Sequence, residues 1–417
     1  MCNVCYNAYK MQIKDNNNTW QSGISKSITF IVTKDCQLAC KYCYLVGKNE
    51  KERMPFEVAK AAIDYVLDRE YDPNFAYESV IWDFIGGEPF LEIDLIDKIC
   101  DYIKQELFRR NHHWFNSYRF SFSTNGINYN SDKVQKFIEK NHRHLSIGVT
   151  IDGTRRKHDL NRIWKGDGPE RGSYDDVVRN IPLWQSQFPG EGTKVTISSA
   201  DIPYICESVL HLYDLGIHQV NINCVFEDVW TEGDDLRFEE QLMQLANAII
   251  DNELYEEYAC SFFTENMGKP LDCQLQNQNW CGAGKMLSID AAGNFYPCTR
   301  FAQYSLRDKE AWIIGNIYDG IDNNKLRPFL TLDRCTQSLP ECVDCEVAEG
   351  CAWCQGENYD AAKTHTVFER ATAICKMHKA RVRANNYYWN KLYRKLELEG
   401  KREEFEQNKK QSNDIIC

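Results

Sequence analysis

No apolar run in this chain approaches the ~20 residues that cross a bilayer. The opening MCNVCYNAYK also lacks a signal-peptide core, so a cytoplasmic protein with no membrane partner is expected. Positive charge is in short supply too: 49 Lys and Arg stand against 61 Asp and Glu, a net −12. Broad nucleic-acid affinity needs a concentrated basic surface, and the composition excludes it.

Cysteine, by contrast, is abundant, at 19 residues. The cytosol keeps thiols reduced, so these cysteines do not form a disulfide framework, and their clustering follows metal-ligand spacing instead. Oxygen-sensitive iron clusters are the economical explanation. At 417 residues and 43% apolar content the chain exceeds one typical domain and can bury a sizeable core.

Cys36, Cys40 and Cys43 in DCQLACKYC are spaced by three and then two residues, directly after the apolar run 28–32. Four thiolates usually hold a four-iron cluster, so a loop offering three leaves one iron open to a non-protein ligand. A zinc loop or a set of buried thiols is the bland alternative, but zinc motifs favour paired cysteines with a fourth ligand nearby. The triplet, with Tyr42 before its last cysteine, resembles the signature of the radical S-adenosylmethionine (radical SAM) superfamily. The resemblance implies that Cys36, Cys40 and Cys43 hold a [4Fe-4S] cluster whose open iron is chelated by the amino and carboxylate groups of SAM.

Three later segments fit that resemblance in order. WDFIGGEP carries Gly86, Gly87, Glu88 and Pro89; paired glycines permit positive φ and close backbone approach, and Glu88 is an acceptor for an ammonium. FSFSTNG places Ser123, Thr124 and Asn125 at a strand end, within reach of ribose hydroxyls. IGVTIDG leads into HDLNR, giving Thr150, Asp152, His158 and Arg162. By resemblance, Thr150 and Arg162 face the SAM carboxylate, since a planar guanidinium suits bidentate carboxylate recognition. Asp152 is expected to buttress its turn, and His158 to be a packed or helix-start residue.

Strand-like stretches at 27–33, 78–84, 118–123, 145–150, 194–199 and 219–226 alternate with helix-like ones such as 56–69 and 93–108. Alternation of this kind indicates βα units on a parallel sheet, an α/β fold. Six units match the partial (β/α)6 TIM barrel that the resemblance implies, with the cofactor at the C-terminal strand ends. The expected organisation is an N-terminal extension (1–26), the barrel (27–235), a bridging helix (236–270), a cysteine-rich domain (271–385) and a C-terminal helix and tail (386–417).

The cysteine-rich part presents Cys281, Gly293, Cys298, Cys342, Cys345, Cys351, Cys354 and Cys375. The order resembles the SPASM domain, which carries two auxiliary [4Fe-4S] clusters and would bring the total to three. By resemblance Cys281, Cys298 and Cys354 hold cluster I, with Cys273 a candidate fourth ligand, and Cys342, Cys345, Cys351 and Cys375 hold cluster II. The chain departs from the family pattern at Cys351 and Cys354, separated by two residues where three are usual. A zinc ribbon from Cys342, Cys345, Cys351 and Cys354 is the alternative, and it leaves Cys281, Cys298 and Cys375 without a task. Cys100, Cys206, Cys224, Cys260 and Cys335 lie in apolar segments and read as small hydrophobes. Ligand roles are not expected for Cys2, Cys5 and Cys417.

The resemblance implies an oxidoreductase that cleaves SAM to a 5′-deoxyadenosyl radical, abstracts hydrogen from substrate, and uses auxiliary clusters to accept an electron or bind a substrate thiolate. Its nearest likeness is to maturases of ribosomally made, cysteine-containing peptides, particularly thioether-forming ones (ranthipeptide type). The implied partners are a precursor peptide and a flavodoxin or ferredoxin. Some 26 residues precede the first expected strand, against roughly 80 for a winged-helix leader-binding domain, so a separate leader-recognition protein or another surface is expected to serve. Alternatives are a sulfatase-maturase-like formylglycine-generating enzyme and a non-enzymatic iron–sulfur or zinc scaffold. The basic, aromatic stretch 376–410 is either a leader-docking face or a terminal helix packed on its own protein.

Overall fold

The computed structural model describes residues 25–48, 50–166, 168–265, 267–272, 281–333, 335–363 and 365–414. Cys2, Cys5, Cys273 and Cys417 lie outside the described residues, as does almost all of the N-terminal extension.

All six expected barrel strands form: β1 (Ser25–Thr33), β2 (Ser79–Gly86), β3 (Tyr118–Thr124), β4 (Leu145–Val149), β5 (Thr193–Ile197) and β6 (Gln219–Cys224). β1 to β4 pair in parallel in chain order, and so do β5 and β6. Register puts Phe30, Phe84 and Phe122 side by side, with ring centroids 5.7 and 5.2 Å apart in stacked geometry. Helices Phe56–Leu67 and Ile93–Arg109 add Ile63, Val66, Ile96 and Ile99 to the same core. The alternate residues Thr29, Asp83 and Ser121 share the opposite face and make the barrel interior polar.

The barrel is split between β4 and β5, which share no backbone ladder. Side chains stitch the seam instead. The Thr193 hydroxyl donates to Val149 O (2.8 Å) and accepts from Ile151 N (3.1 Å), and Asp152 Oδ1 accepts from Thr196 N at 3.1 Å.

The expected division after residue 235 is not where the sheet ends. β7 (Ala259–Cys260), inside the expected bridge, adds a parallel strand to β6. β8 (Leu287–Ile289) pairs in parallel with β1, and β9 (Asn294–Tyr296), β10 (Gly315–Asn316) and β11 (Gly320–Ile321) extend the sheet antiparallel from there. The cysteine-rich part therefore continues the barrel sheet beyond β1 rather than hanging from a linker. Strands of two or three residues carry too little alternation to show in sequence.

The bridging helix is Asp234–Asp251, ending at Asn252 before Glu253 turns to a φ of 57°. The last long helix, Cys375–Leu398, begins inside the expected cysteine-rich domain, and a second, Arg402–Asp414, follows Gly400. Cys375–Leu398 packs along Asp234–Asp251, pairing Arg383 with Glu239 (2.5 Å), Lys391 with Asp251 (3.0 Å) and Lys395 with Glu253 (3.0 Å). Much of the basic, aromatic face is thus spent on the protein itself. Among the described residues no helix is long and apolar enough to cross a membrane.

Phe84 is fully buried between two stacked rings. Phe84→Ala should cost ~3–5 kcal/mol, read as a lower guanidinium midpoint of the anaerobically purified protein at unchanged slope.

Candidate functional site

The cysteine loop leaves β1 at Thr33 and is held from two sides. On one, Ala39 N donates to Ile163 O (2.8 Å), Lys41 N to Asn161 O (3.0 Å), and Lys165 pairs with Asp35 at 2.7 Å. On the other, Gly87 N donates to Thr33 O (3.0 Å) and Glu88 N to Asp35 O (2.9 Å). A Cβ on Gly86 would overlap the Thr33 carbonyl, and one on Gly87 the Asp35 carbonyl. Neither glycine adopts positive φ. Close approach alone requires the pair, which corrects the expectation that positive φ was also at stake.

Glu88 is 1% exposed, and its carboxylate accepts from Phe90 N (3.0 Å), the Thr124 hydroxyl (2.7 Å) and Asn125 N (2.7 Å). Burial raises its pKa against these three bonds. Three of its roughly four acceptor sites are thus filled, which leaves one for an ammonium. Pro89 is buried and opens a short 3-10 turn. Asn125 Nδ2 donates to Gln37 Oε1 at 3.0 Å, tying the end of β3 to the cysteine loop. Ser123 is exposed on the same side of β3 as Ser121.

Tyr42 crosses to the far wall, donating to Asp152 and accepting from Arg162 Nη1 at 3.0 Å. Arg162 is 7% exposed, and its Nε has no hydrogen-bond partner. A buried guanidinium with an orphaned donor is suited to an anion. Burial works to raise the Asp152 carboxyl, but Lys157 and Arg162 outweigh it and hold the group below its ordinary value. His158 is fully buried, its Nδ1 accepting from Asp152 N. Thr150 is half-buried at the end of β4.

Cys36 is buried, while Cys40 and Cys43 are half-buried. Burial pushes Cys36 up to about 11, with Glu88 adding to the effect. Buried thiols of this kind become thiolates when a metal supplies the compensating charge.

The later cysteines fall into two groups. Cys281, Cys298 and Cys354 are mutual electrostatic neighbours; burial, then this crowding, raises Cys281 to about 12 and Cys298 to about 11. Gly293, at a φ of 83°, turns the β8–β9 hairpin that separates the first two. Cys342, Cys351 and Cys375 neighbour one another around Arg370, whose Nη2 lies 2.9 Å from Cys351 Sγ. Cys345 is half-buried in the same loop. Cys354 is an electrostatic neighbour of Cys281 and Cys298 despite the shortened spacing. Cys100 and Cys260 are buried, Cys206 and Cys224 half-buried; Cys335 differs from expectation in being half-buried and disulfide-bonded.

The sequence model of the Radical SAM superfamily matches residues 30–198. That span runs from β1 to the end of β5 and contains the cysteine loop, the Gly-Gly-Glu-Pro turn and Arg162. Residues 30–198 are a radical SAM domain. Among curated relatives, the chain is 26% identical over 306 residues to an uncharacterised protein of Methanocaldococcus jannaschii, covering 72% of this chain and 91% of that one. It is 23% identical over 353 residues to the serine-type anaerobic sulfatase-maturating enzyme of Bacteroides thetaiotaomicron, covering 76% and 78%. The fold is similar to that of anSMEcpe solved with AdoMet (TM-score 0.64, 18% identity, 88% of this chain and 99% of that one). It is also similar to that of Streptococcus suis SuiB bound to its precursor peptide SuiA (0.56, 12%, 84% and 76%).

A cavity of about 390 Å³ opens between the radical SAM domain and the cysteine-rich part. Its walls include Cys43 and Tyr44 of the loop, Ser198 and Glu227 beyond β5 and β6, and Ser305 and Arg307. Gly47 N donates to Tyr304 O at 2.9 Å, fastening the loop to that opposite wall.

Sequence reasoning missed two residues inside the barrel. Asp83 points inward from β2, and burial raises its carboxyl to about 6 despite hydrogen bonds from Ser121 and Thr29. Lys194 of β5 is its electrostatic neighbour, and burial, then Arg300, lowers the Lys194 pKa. A charged residue at inward parity within an otherwise apolar strand was the available signal.

Gly87→Ala should prevent the turn from seating on the loop. The expected result is loss of the iron bound by the cysteine triplet with secondary structure retained, measured by iron count and far-UV circular dichroism.

Proposed function

We propose that this chain is a peptide maturase that uses SAM to abstract hydrogen from a cysteine-containing, ribosomally made precursor and installs a thioether crosslink. The observation that carries the reading is the cavity that has Cys43 and Tyr44 of the cysteine loop on one wall and Ser305 and Arg307 of the cysteine-rich part on the other, which gives a peptide room beside the loop. Two fold neighbours were solved with peptides: anSMEcpe with the Kp18Cys peptide and SuiB with SuiA.

In this reading Cys36, Cys40 and Cys43 hold the SAM-binding [4Fe-4S] cluster. Cys281, Cys298 and Cys354, with Cys273, hold auxiliary cluster I, and Cys342, Cys345, Cys351 and Cys375 hold cluster II. The chemistry of the donor sets suits such clusters: the thiols are buried or half-buried, with Arg162 the electrostatic neighbour of Cys40, and Arg370 that of Cys342 and Cys351. When bound, cofactor and clusters would supply SAM cleavage, hydrogen-atom abstraction and an acceptor for the substrate's remaining electron. The protein's own residues orient and enclose. Glu88 would take the methionyl ammonium on its remaining acceptor site, and Arg162 Nε the carboxylate, with Thr150 beside it. Gly86, Gly87 and Pro89 set the backbone that Glu88 needs, Tyr42 braces the loop on Asp152, and Ser123 and Asn125 stand where a ribose would lie. In this reading the partners are the precursor and a flavodoxin or ferredoxin, with the leader read either by a separate recognition protein or by another surface of the chain.

A formylglycine-generating activity is the second reading, favoured by the Bacteroides thetaiotaomicron relative. Co-expression with a small cysteine-rich peptide, followed by mass spectrometry and thiol alkylation, separates the two. A thioether removes two hydrogens and one alkylatable thiol per event, with sulfur retained. Serine oxidation to formylglycine removes two hydrogens and no thiol, and cysteine oxidation removes the sulfur. An unmodified peptide from a co-expression in which the enzyme retains its iron would count against both.

With dithionite and SAM, reconstituted protein should release 5′-deoxyadenosine, and Cys36→Ala, Cys40→Ala or Cys43→Ala should each abolish it. Chromatographic detection of the nucleoside from any of these variants would contradict the assignment.

A further inference from the structure

Arg300 occupies a junction that the proposed chemistry does not by itself explain. Its backbone N–H donates to Cys298 Sγ at 3.5 Å, and its side chain is 16% exposed. Its guanidinium donates to Glu227 Oε1 at 2.7 Å and lies 4.3 Å from the centroid of the Tyr44 ring, one residue past Cys43. A Cβ on Gly356, two residues past Cys354, would overlap the Arg300 Cβ. The side chain is therefore clamped among the barrel wall, the cysteine loop and the start of helix Gln355–Ala361. Arg300 also approaches Glu357 of that helix at 4.0 Å, while Arg307 holds Glu357 at 2.5 Å and Asp360 at 2.9 Å. Glu227, the counter-charge of Arg300, lines the cavity.

The geometry points to Arg300 as a positioning residue that raises the reduction potential of the cluster held by Cys281, Cys298 and Cys354, with Glu227 as the opposing charge. The inference rests on the reading that these cysteines hold a cluster. Reduction adds negative charge to a group buried beside a permanent cation, and low-dielectric surroundings leave the two poorly screened. Charge and hydrogen bonding around the sulfurs are general determinants of cluster potential. A glutamate facing the cavity gives a bound substrate a charge through which to alter that potential.

The test uses full-length protein carrying Cys36→Ala, Cys40→Ala and Cys43→Ala, so that the remaining iron belongs to auxiliary sites. Redox titration followed by electron paramagnetic resonance, with iron and sulfide counted in parallel, gives the midpoints. Arg300→Gln should shift one midpoint to more negative potential, Glu227→Gln should shift the same midpoint less negative, and Arg300→Lys should restore most of the native value. Shifts of opposite sign from neighbouring neutralisations are what a charge effect produces and a general loosening does not. Should Arg300→Gln fail to retain the cluster, the Glu227→Gln shift decides. Loaded variants with unmoved midpoints, or both moving the same way, would overturn the role of Arg300 alone. Absence of iron from the starting protein would overturn the cluster reading, and this inference with it.

Discussion

Everything at the candidate site depends on how closely two backbones approach, that of the cysteine loop and that of the turn ending β2. Thr33 O and Asp35 O accept from Gly87 and Glu88, and no side chain fits at either glycine. Through this contact Glu88 is carried beneath the loop, where it collects donors from its own turn and from the end of β3. One carboxylate thus ties two segments together, and removing a buried acceptor that serves three donors would strand each of them at ~1–3 kcal/mol. The site is consequently rigid on the β1–β3 side.

The β4–β5 side is built differently. The backbone ladder stops at β4, and Thr193 and Asp152 replace it with side-chain bonds. Asp152 also receives Tyr42 from the cysteine loop, so a single buried carboxylate closes the seam and anchors the loop. Lys157 and Arg162 keep it ionised against burial, which lets it accept from both sides. Arg162, holding Tyr42 with one nitrogen and leaving Nε unmatched, is the residue on this wall with capacity to spare.

The barrel was legible in the sequence because its strands are long enough to alternate and its helices long enough to show a face. The cysteine loop and the Gly-Gly-Glu-Pro turn were legible because their chemistry is local in the chain. What escaped was non-local. β8 reaches β1 across more than 250 positions through three residues, and no periodicity announces such a strand. Asp83 sits two residues after Ile81 in an apolar strand, and its inward parity matters only once Lys194 faces it. Gly86 and Gly87 were recognised as glycines with a purpose, but which of two purposes depended on the path of the loop above them.

The grouping of the later cysteines shows the same limit and its resolution. Spacing alone allowed Cys354 to join Cys342, Cys345 and Cys351 in a tetrahedral site or to pair across the fold with Cys281 and Cys298. In the structure Cys354 is the last residue before helix Gln355–Ala361, and that helix is drawn toward the barrel by Arg300 and Arg307 acting on Glu357 and Asp360. Cys351, three residues earlier, stays with Arg370. The segments that flank the two cysteines thus have different charged neighbours, Arg370 on one side and the ion pairs of Arg300 and Arg307 with helix Gln355–Ala361 on the other.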